Sequence, residues 1–184
     1  MQGLRDCAIG SQRALLANLI NGREDGETNY AEAQWIIEKL QSIARHKKQK
    51  WNNTEPNWSV FVITPYQAQL KLLIDLLRRS YYQWNEELHV KCCIANELEV
   101  RCLTADSCQG KETAISLISM VRTDKVGFLS TPNHILTMLS RASDYLMIVA
   151  HRSTFEADPL WRFLLKRMEL CKALMYDDPR DDAA

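Results

Sequence analysis

Nowhere does this sequence read G-x-x-x-x-G-K-[ST], the loop whose backbone amides cradle phosphates and whose hydroxyl holds magnesium. The nearest stretch is Ala105-Asp106-Ser107-Cys108-Gln109-Gly110-Lys111-Glu112. It has alanine for the first glycine, and a carboxylate, which repels phosphate, for the hydroxyl. A G-x-G-x-x-G fingerprint is also missing, which argues against a dinucleotide enzyme. No apolar run approaches the ~20 residues of a membrane span, and Met1 to Asp6 lack the apolar region of a signal peptide. The cysteines (Cys7, Cys92, Cys93, Cys102, Cys108, Cys171) include no C-x-x-C pair, and no histidine stands at ligand spacing beside them. No metal site is therefore expected. Reduced, structural thiols in an intracellular protein of the nucleus or cytoplasm are the reading. Net charge is missing too: 23 Lys and Arg balance 23 Asp and Glu, so no global basic field announces nucleic acid.

What is present is an ordinary globular composition. The chain has 184 residues, 46% hydrophobic and 25% charged, enough for one domain with a sizeable core. Residues 1–28 read as a lead-in with a first short apolar run, Ala14 to Ile20, that fits a strand or a helix turn equally well. Thr28 or Asn29 can cap a helix running to about Arg45, with Glu32 in its first turn and Ala33, Ile36, Ile37, Leu40, Ile43 and Ala44 on one stripe. His46 to Asn57 reads as a solvated connection, although lysines beside Trp51 are also a way to grip nucleic acid. Trp58 to Thr64 is a β-branched and aromatic strand ended by Pro65, followed by a helix from Tyr66 to Arg79. Ser80 to Leu98 carries no clear period; its Tyr81, Tyr82 and Trp84 can stack bases but more often pack under a loop.

Strands follow at Glu99 to Leu103, Ile115 to Val121 and Tyr145 to Ala150. Pro132 opens a third helix to about Arg141, and Leu160 to Lys172 forms a last one before an acidic tail. Uniformly apolar strands alternating with helices predict an α/β fold with a mainly parallel sheet covered on both faces. Ligands of such sheets lie at the carboxyl ends of strands, where Thr64, the loop from Thr104, Val121-Arg122 and Ala150-His151 all fall.

Four ordered segments resemble the C-terminal motor domain of superfamily-one helicases, in the branch of the nonsense-mediated-decay RNA helicase and the senataxin-like and Aquarius-like proteins. Asn29-Tyr30-Ala31-Glu32-Ala33 is similar to N-x-x-E-A. Ile63-Thr64-Pro65-Tyr66-Gln67-Ala68-Gln69 is similar to the fourth motif, I-T-P-Y-x-x-Q. Thr104 to Glu112 resembles the fifth motif, T-V-D-x-F-Q-G-x-E, and Leu139-Ser140-Arg141-Ala142 resembles the L-[ST]-R-A core of the sixth. Val121-Arg122, Gly127-Phe128-Leu129 and Pro159-Leu160-Trp161 also match V-R, G-F-L and P-L-W. The similarity covers about Asn29 to Met168, within a domain bounded at 29–172, with residues 173–184 as tail.

The resemblance implies a RecA-like fold of the P-loop NTPase class that lacks its own phosphate loop. It implies ATP with Mg2+ held jointly with an upstream RecA-like domain carrying the Walker A and B motifs, and single-stranded RNA or DNA across the top of both. It places an arginine finger at Arg141, nucleotide contacts at Gln109, Gly110, Lys111 and Glu112, and nucleic-acid backbone contacts at Thr64, Pro65, Tyr66, Thr104 and Ser107. Alone, the chain is then catalytically incomplete. Outside the motif, Arg141 reads as a helix cap paired with Asp144, Asp106 as a loop closer and Cys108 as a small buried hydrophobe.

The sixth motif departs from R-x-N-x-A-L-T-R-A-[KR]: His134 stands for the first arginine, Leu136 for the asparagine and Ser143 for the final basic residue. The fifth has Cys108 for phenylalanine and Ala114 where an acid commonly follows. Two functions follow: an ATP-driven motor domain, and a non-hydrolysing helicase-like domain that binds nucleic acid or protein as a scaffold.

Overall fold

Alternating burial along the strands sorts the helices onto two faces. In the computed structural model the described residues are 14–20, 22–50, 58–80, 84–85, 91–94, 98–170 and 174–176. The elements are β1 (Ala14–Ile20), α1 (Tyr30–Lys50), β2 (Trp58–Thr64), α2 (Gln67–Ser80), β3 (Trp84–Asn85), β4 (Lys91–Ile94), β5 (Leu98–Thr104) and β6 (Thr113–Ser119). A 3-10 turn (Gly127–Ser130), α3 (Pro132–Leu139), β7 (Ala142–His151), α4 (Arg152–Ala157), α5 (Pro159–Leu170) and β8 (Leu174–Tyr176) complete the chain.

The strands form one sheet in the order β3-β4-β5-β2-β6-β7-β1-β8. From β5 to β8 all neighbours are parallel; β4 and β3 add an antiparallel edge. Central β2 shows the sorting. Val60 and Val62 pack with the α1 and α2 residues Ile36, Leu40, Leu73 and Leu77. Phe61 and Ile63 point the other way, to Ile135 and Met138 of α3 and Trp161 and Leu165 of α5. Burial on both faces is why these strands are continuously apolar.

The expected α/β class and helices on both faces are what the structure has. The ambiguous run Ala14–Ile20 is a strand, held between β7 and β8. The sheet thus takes in strands on both sides of residues 29–172. Helix α1 runs to Lys50, past Arg45, through residues that read as a connection. The strands β3, β4 and β8 were not expected. All three are short, too short for a period to register. Tyr81, Tyr82, Trp51 and the tail from Asp177 lie outside the described residues.

Candidate nucleotide and nucleic-acid site

The route from β5 to β6 defines the site. Both strands flank β2 and run parallel to it, so the chain must return from the carboxyl end of β5 to the amino end of β6. It does so without a helix. Thr104 sits in register with Thr64, whereas Thr113 hydrogen-bonds through Oγ1 to the Ser59 carbonyl at 2.7 Å. Five strand residues at ~3.3 Å and two strand spacings of ~4.8 Å separate Thr104 from Thr113 by about 20 Å. Ala105 to Glu112 cover that distance on the α3 side, anchored by buried Ala105 and Cys108. The Cys108 thiol donates to the Ala105 carbonyl at 3.0 Å, and burial pushes its pKa up. It is a packing residue.

At the carboxyl edge the loop begins with a closed hydroxyl turn. Thr104 N–H and Oγ1–H both donate to Ser107 Oγ, at 2.8 and 3.0 Å, and Ser107 N–H donates to Thr104 Oγ1 at 3.2 Å. Thr64 is wholly buried, with its Oγ1 turned to the Tyr66 N–H at 3.5 Å. Thr64 and Thr104 are thus neighbours, but what faces solvent here is Ser107, with Pro65 and Tyr66 half-buried. Arg122 lies over the Tyr66 ring, 5.7 Å from its centroid. Burial raises the Tyr66 pKa, and the Arg122 charge opposes the rise.

At the amino edge the loop meets Arg141. Lys111 Nζ folds back to the Ser107 carbonyl at 2.6 Å, which leaves the Lys111 carbonyl to accept from Arg141 Nη1 at 3.0 Å. Arg141 Nη2 donates to Ser140 Oγ at 2.7 Å, and Arg141 N–H and C=O tie α3 to β6 through Met138 and Thr113. Its Nε is buried with no partner. The guanidinium therefore turns to the loop rather than to Asp144, whose carboxylate accepts from Ser143. Gln109, Gly110, Lys111 and Glu112 are exposed. Gly110 has φ 73, and a Cβ there would meet nothing within 4 Å. Glycine is needed for the left-handed backbone, not for space. Thr64 and Thr104 thus lie at the carboxyl end of the sheet and Arg141 at the amino end, with Gln109 to Glu112 on the loop between them, where Lys111 Nζ reaches back to the Ser107 carbonyl.

A third group joins Asn29 and Glu32, to which the sequence gives only the start of a helix, with Gln69 and Ser119. Asn29 caps α1 by accepting from the Glu32 N–H at 3.2 Å. The Glu32 side chain leaves the Asn29 N–H to Gln69 and instead accepts from Asn29 Nδ2 through Oε1 at 3.4 Å. Its Oε2 accepts from Ser119 Oγ at 2.6 Å and Val121 N–H at 2.8 Å. Gln69 accepts from Asn29 N–H at 2.8 Å and donates to Ser119 Oγ at 3.0 Å. Asn29, Glu32, Gln69 and Ser119 are wholly buried. Burial drives the Glu32 pKa up to about 8, against the pull of the Ser119 and Val121 hydrogen bonds. The signal lay in the motifs: N-x-x-E, the glutamine of I-T-P-Y-x-x-Q and V-R come together here as one network.

The architecture is that of an α/β domain with a mainly parallel sheet and a helix-free crossover as its chemical loop. The family model described as AAA domain (AAA_12) matches residues 16–153, and the chain belongs to that family. It is a RecA-like C-terminal helicase domain of superfamily one, in the nonsense-mediated-decay helicase branch. It is 31% identical over 107 residues to the regulator of nonsense transcripts 1 homolog of Drosophila melanogaster, covering 56% of this chain and 8% of that protein. It is 34% identical over 114 residues to the helicase required for RNAi-mediated heterochromatin assembly 1 of Schizosaccharomyces pombe, covering 60% and 10%. The chain therefore spans about a tenth of the length of these relatives. A crystal structure described as the C-terminal domain of a possible DNA helicase from Lactobacillus plantarum superposes with a TM-score of 0.57 at 13% identity, over 95% of this chain and 92% of that one. That likeness speaks for the fold alone.

Proposed function

We propose that this domain is the second motor domain of an ATP-dependent RNA or DNA helicase, working against an upstream RecA-like domain that carries the Walker motifs, inside the cell in nucleus or cytoplasm. The observation that carries the reading is the Ala105–Glu112 crossover, hydrogen-bonded to Arg141 at one end and closed by Thr104 and Ser107 at the other. The residues present suit an anionic nucleotide. A half-buried guanidinium with an unpartnered Nε, an exposed lysine and an open glycine backbone offer positive charge and close approach. Bound ATP with Mg2+ would supply the phosphoryl group to be transferred.

In this reading Arg141 leaves the Lys111 carbonyl or shares it, and its Nη groups neutralise charge that develops on the terminal phosphate. Gln109, Gly110, Lys111 and Glu112 line the nucleotide side. Ser107, Thr104, Pro65 and Tyr66 meet the strand backbone at the other edge, with Thr64 supporting them from within. A contact at either end pulls on the same eight residues. We take 29–172 as the working unit, with β1 and β8 completing its sheet.

A second reading is favoured by two residues of the sixth motif. Leu136, where the motif has asparagine, is 63% exposed, and His134, where it has arginine, stacks on Phe128 at 3.8 Å. Neither offers a phosphate ligand of the motif's kind, which suits a scaffold that does not hydrolyse. Nucleic-acid-stimulated ATPase of the full-length protein separates the two. Loss of activity in Arg141→Ala, with partial retention in Arg141→Lys, is expected of the motor. A wild-type protein that binds oligonucleotide but never hydrolyses ATP would establish the scaffold.

A further inference from the structure

Val121 has φ 71. A β-branched residue in the left-handed region is a genuine outlier, and such strain persists only where its surroundings over-determine it. The turn is closed by Arg122 N–H donating to the Met120 carbonyl at 2.8 Å. That i to i+2 bond with a positive central φ makes it a γ-turn of the rare, strained kind. Both polar backbone groups of Val121 are taken by the start of α1: its N–H by Glu32 at 2.8 Å, its carbonyl by Asn29 Nδ2 at 3.2 Å. On either side, Met120 N–H reaches the Val149 carbonyl, Thr123 N–H reaches Glu24 at 3.0 Å and the Thr123 carbonyl accepts from Thr154 at 2.6 Å.

The residue this scaffold presents is Arg122. Its side chain is 26% exposed beside Tyr66 at the carboxyl edge. Its polar contacts run through Nε, to Glu24 at 3.3 Å and the Lys125 carbonyl at 3.4 Å. Among the described residues neither Nη group has a hydrogen-bond partner.

We infer that Arg122 is a phosphate ligand for single-stranded nucleic acid, and that Glu32, with Asn29, is its positioning residue, acting through the Val121 γ-turn. The inference rests on the strand-binding reading above and names a residue that reading does not use. Glu24 orients the guanidinium through Nε and leaves the Nη face for a phosphate, the geometry in which arginine binds oxyanions. The Tyr66 ring lies against it, 5.7 Å from the guanidinium carbon to the ring centroid. A relaxed turn at residue 121 would swing Arg122 off the ring, so Glu32 controls binding without touching the ligand.

The test uses the full-length protein and a fluorescein-labelled oligouridine, with affinity measured over a salt series by anisotropy. Arg122→Ala should weaken binding about tenfold and lower the slope of log affinity against log salt by about 0.7, the loss of one phosphate contact on a single strand. Glu32→Ala should do the same, and the double variant should be no weaker than Arg122→Ala, because the two act as one. Glu32→Gln keeps an acceptor for Val121 N–H and should restore both affinity and slope. An Arg122→Ala protein with unchanged affinity and slope overturns the inference, as does a Glu32→Ala loss that adds fully to that of Arg122→Ala. Arg122 is partly exposed, so its variant stays folded and decides the matter even if Glu32→Ala unfolds. A wild type that fails to bind the oligonucleotide sinks the strand-binding reading itself.

Discussion

The two ends of the sheet are built on opposite terms. At the carboxyl edge, Met120 to Thr123 is held at nearly every backbone polar group, by α1, β7, Glu24 and α4. At the amino edge, Arg141 keeps a buried Nε without a partner and two Nη contacts at an exposed rim. At one end the backbone is almost fully paired within the chain; at the other a buried side-chain nitrogen has no partner. Interior polar groups are normally satisfied; among the described residues Arg141 Nε and Ser116 Oγ are the buried side-chain exceptions, and in the proposed function the first marks where the domain meets the nucleotide. In the proposed function, the difference separates a preset grip from a contact to be made.

Variants can break this contrast. Arg141→Ala should show the largest effect: about a 10³-fold fall in stimulated ATPase with a thermal midpoint close to wild type, since the lost bonds are peripheral. A matching fall in stability would put Arg141 among the structural groups and remove the contrast. Glu32→Ala should do the reverse, lowering the unfolding free energy by about 3 kcal/mol in urea titrations, because Asn29, Ser119 and Val121 lose a shared buried partner.

pH should act on the same end. The folded chain keeps the Glu32 proton up to about pH 8, whereas the unfolded chain releases it near 4.5. Between those values the folded state binds the extra proton. This contribution is therefore fully present below 4.5, falls by about 1.4 kcal/mol per pH unit as pH rises, and is gone above about 8. Glu32→Gln should flatten the profile across that window, and an unchanged slope would remove Glu32 as its source. The smallest effect tests the strain. Val121→Gly and Val121→Ala both lose buried methyls, yet the glycine variant should be the more stable by about 1 kcal/mol, the reverse of their order in a regular strand.

Most of the frame was legible from periodicity. Val60 to Ile63 and Leu117 to Ile118 are apolar without break because both faces are covered, and that pattern survives without knowledge of neighbours. Leu174–Tyr176 and Trp84–Asn85 were not legible, because strands so short exist only through their partners. The loop from Thr104 was visible as chemistry, but its course across the sheet depends on register, which no local signal carries. From sequence, Glu32 had a place in the first turn of a helix and Arg122 one at the carboxyl end of a strand, with nothing to connect them. Their joint role comes from a turn at Val121 that sequence argues against, since valine is a poor choice for a positive φ.

The crossover also has a bearing on how such a chain can change over time. Surface loops usually accept added residues at little cost. Ala105 to Glu112 do not. Their length is matched to the distance between two sheet edges, and Ala105 and Cys108 anchor them along the way. Substitutions such as Cys108 for phenylalanine leave the span intact, whereas one inserted residue would put slack between the two ends. Family members should therefore vary in the lettering of this segment far more freely than in its length.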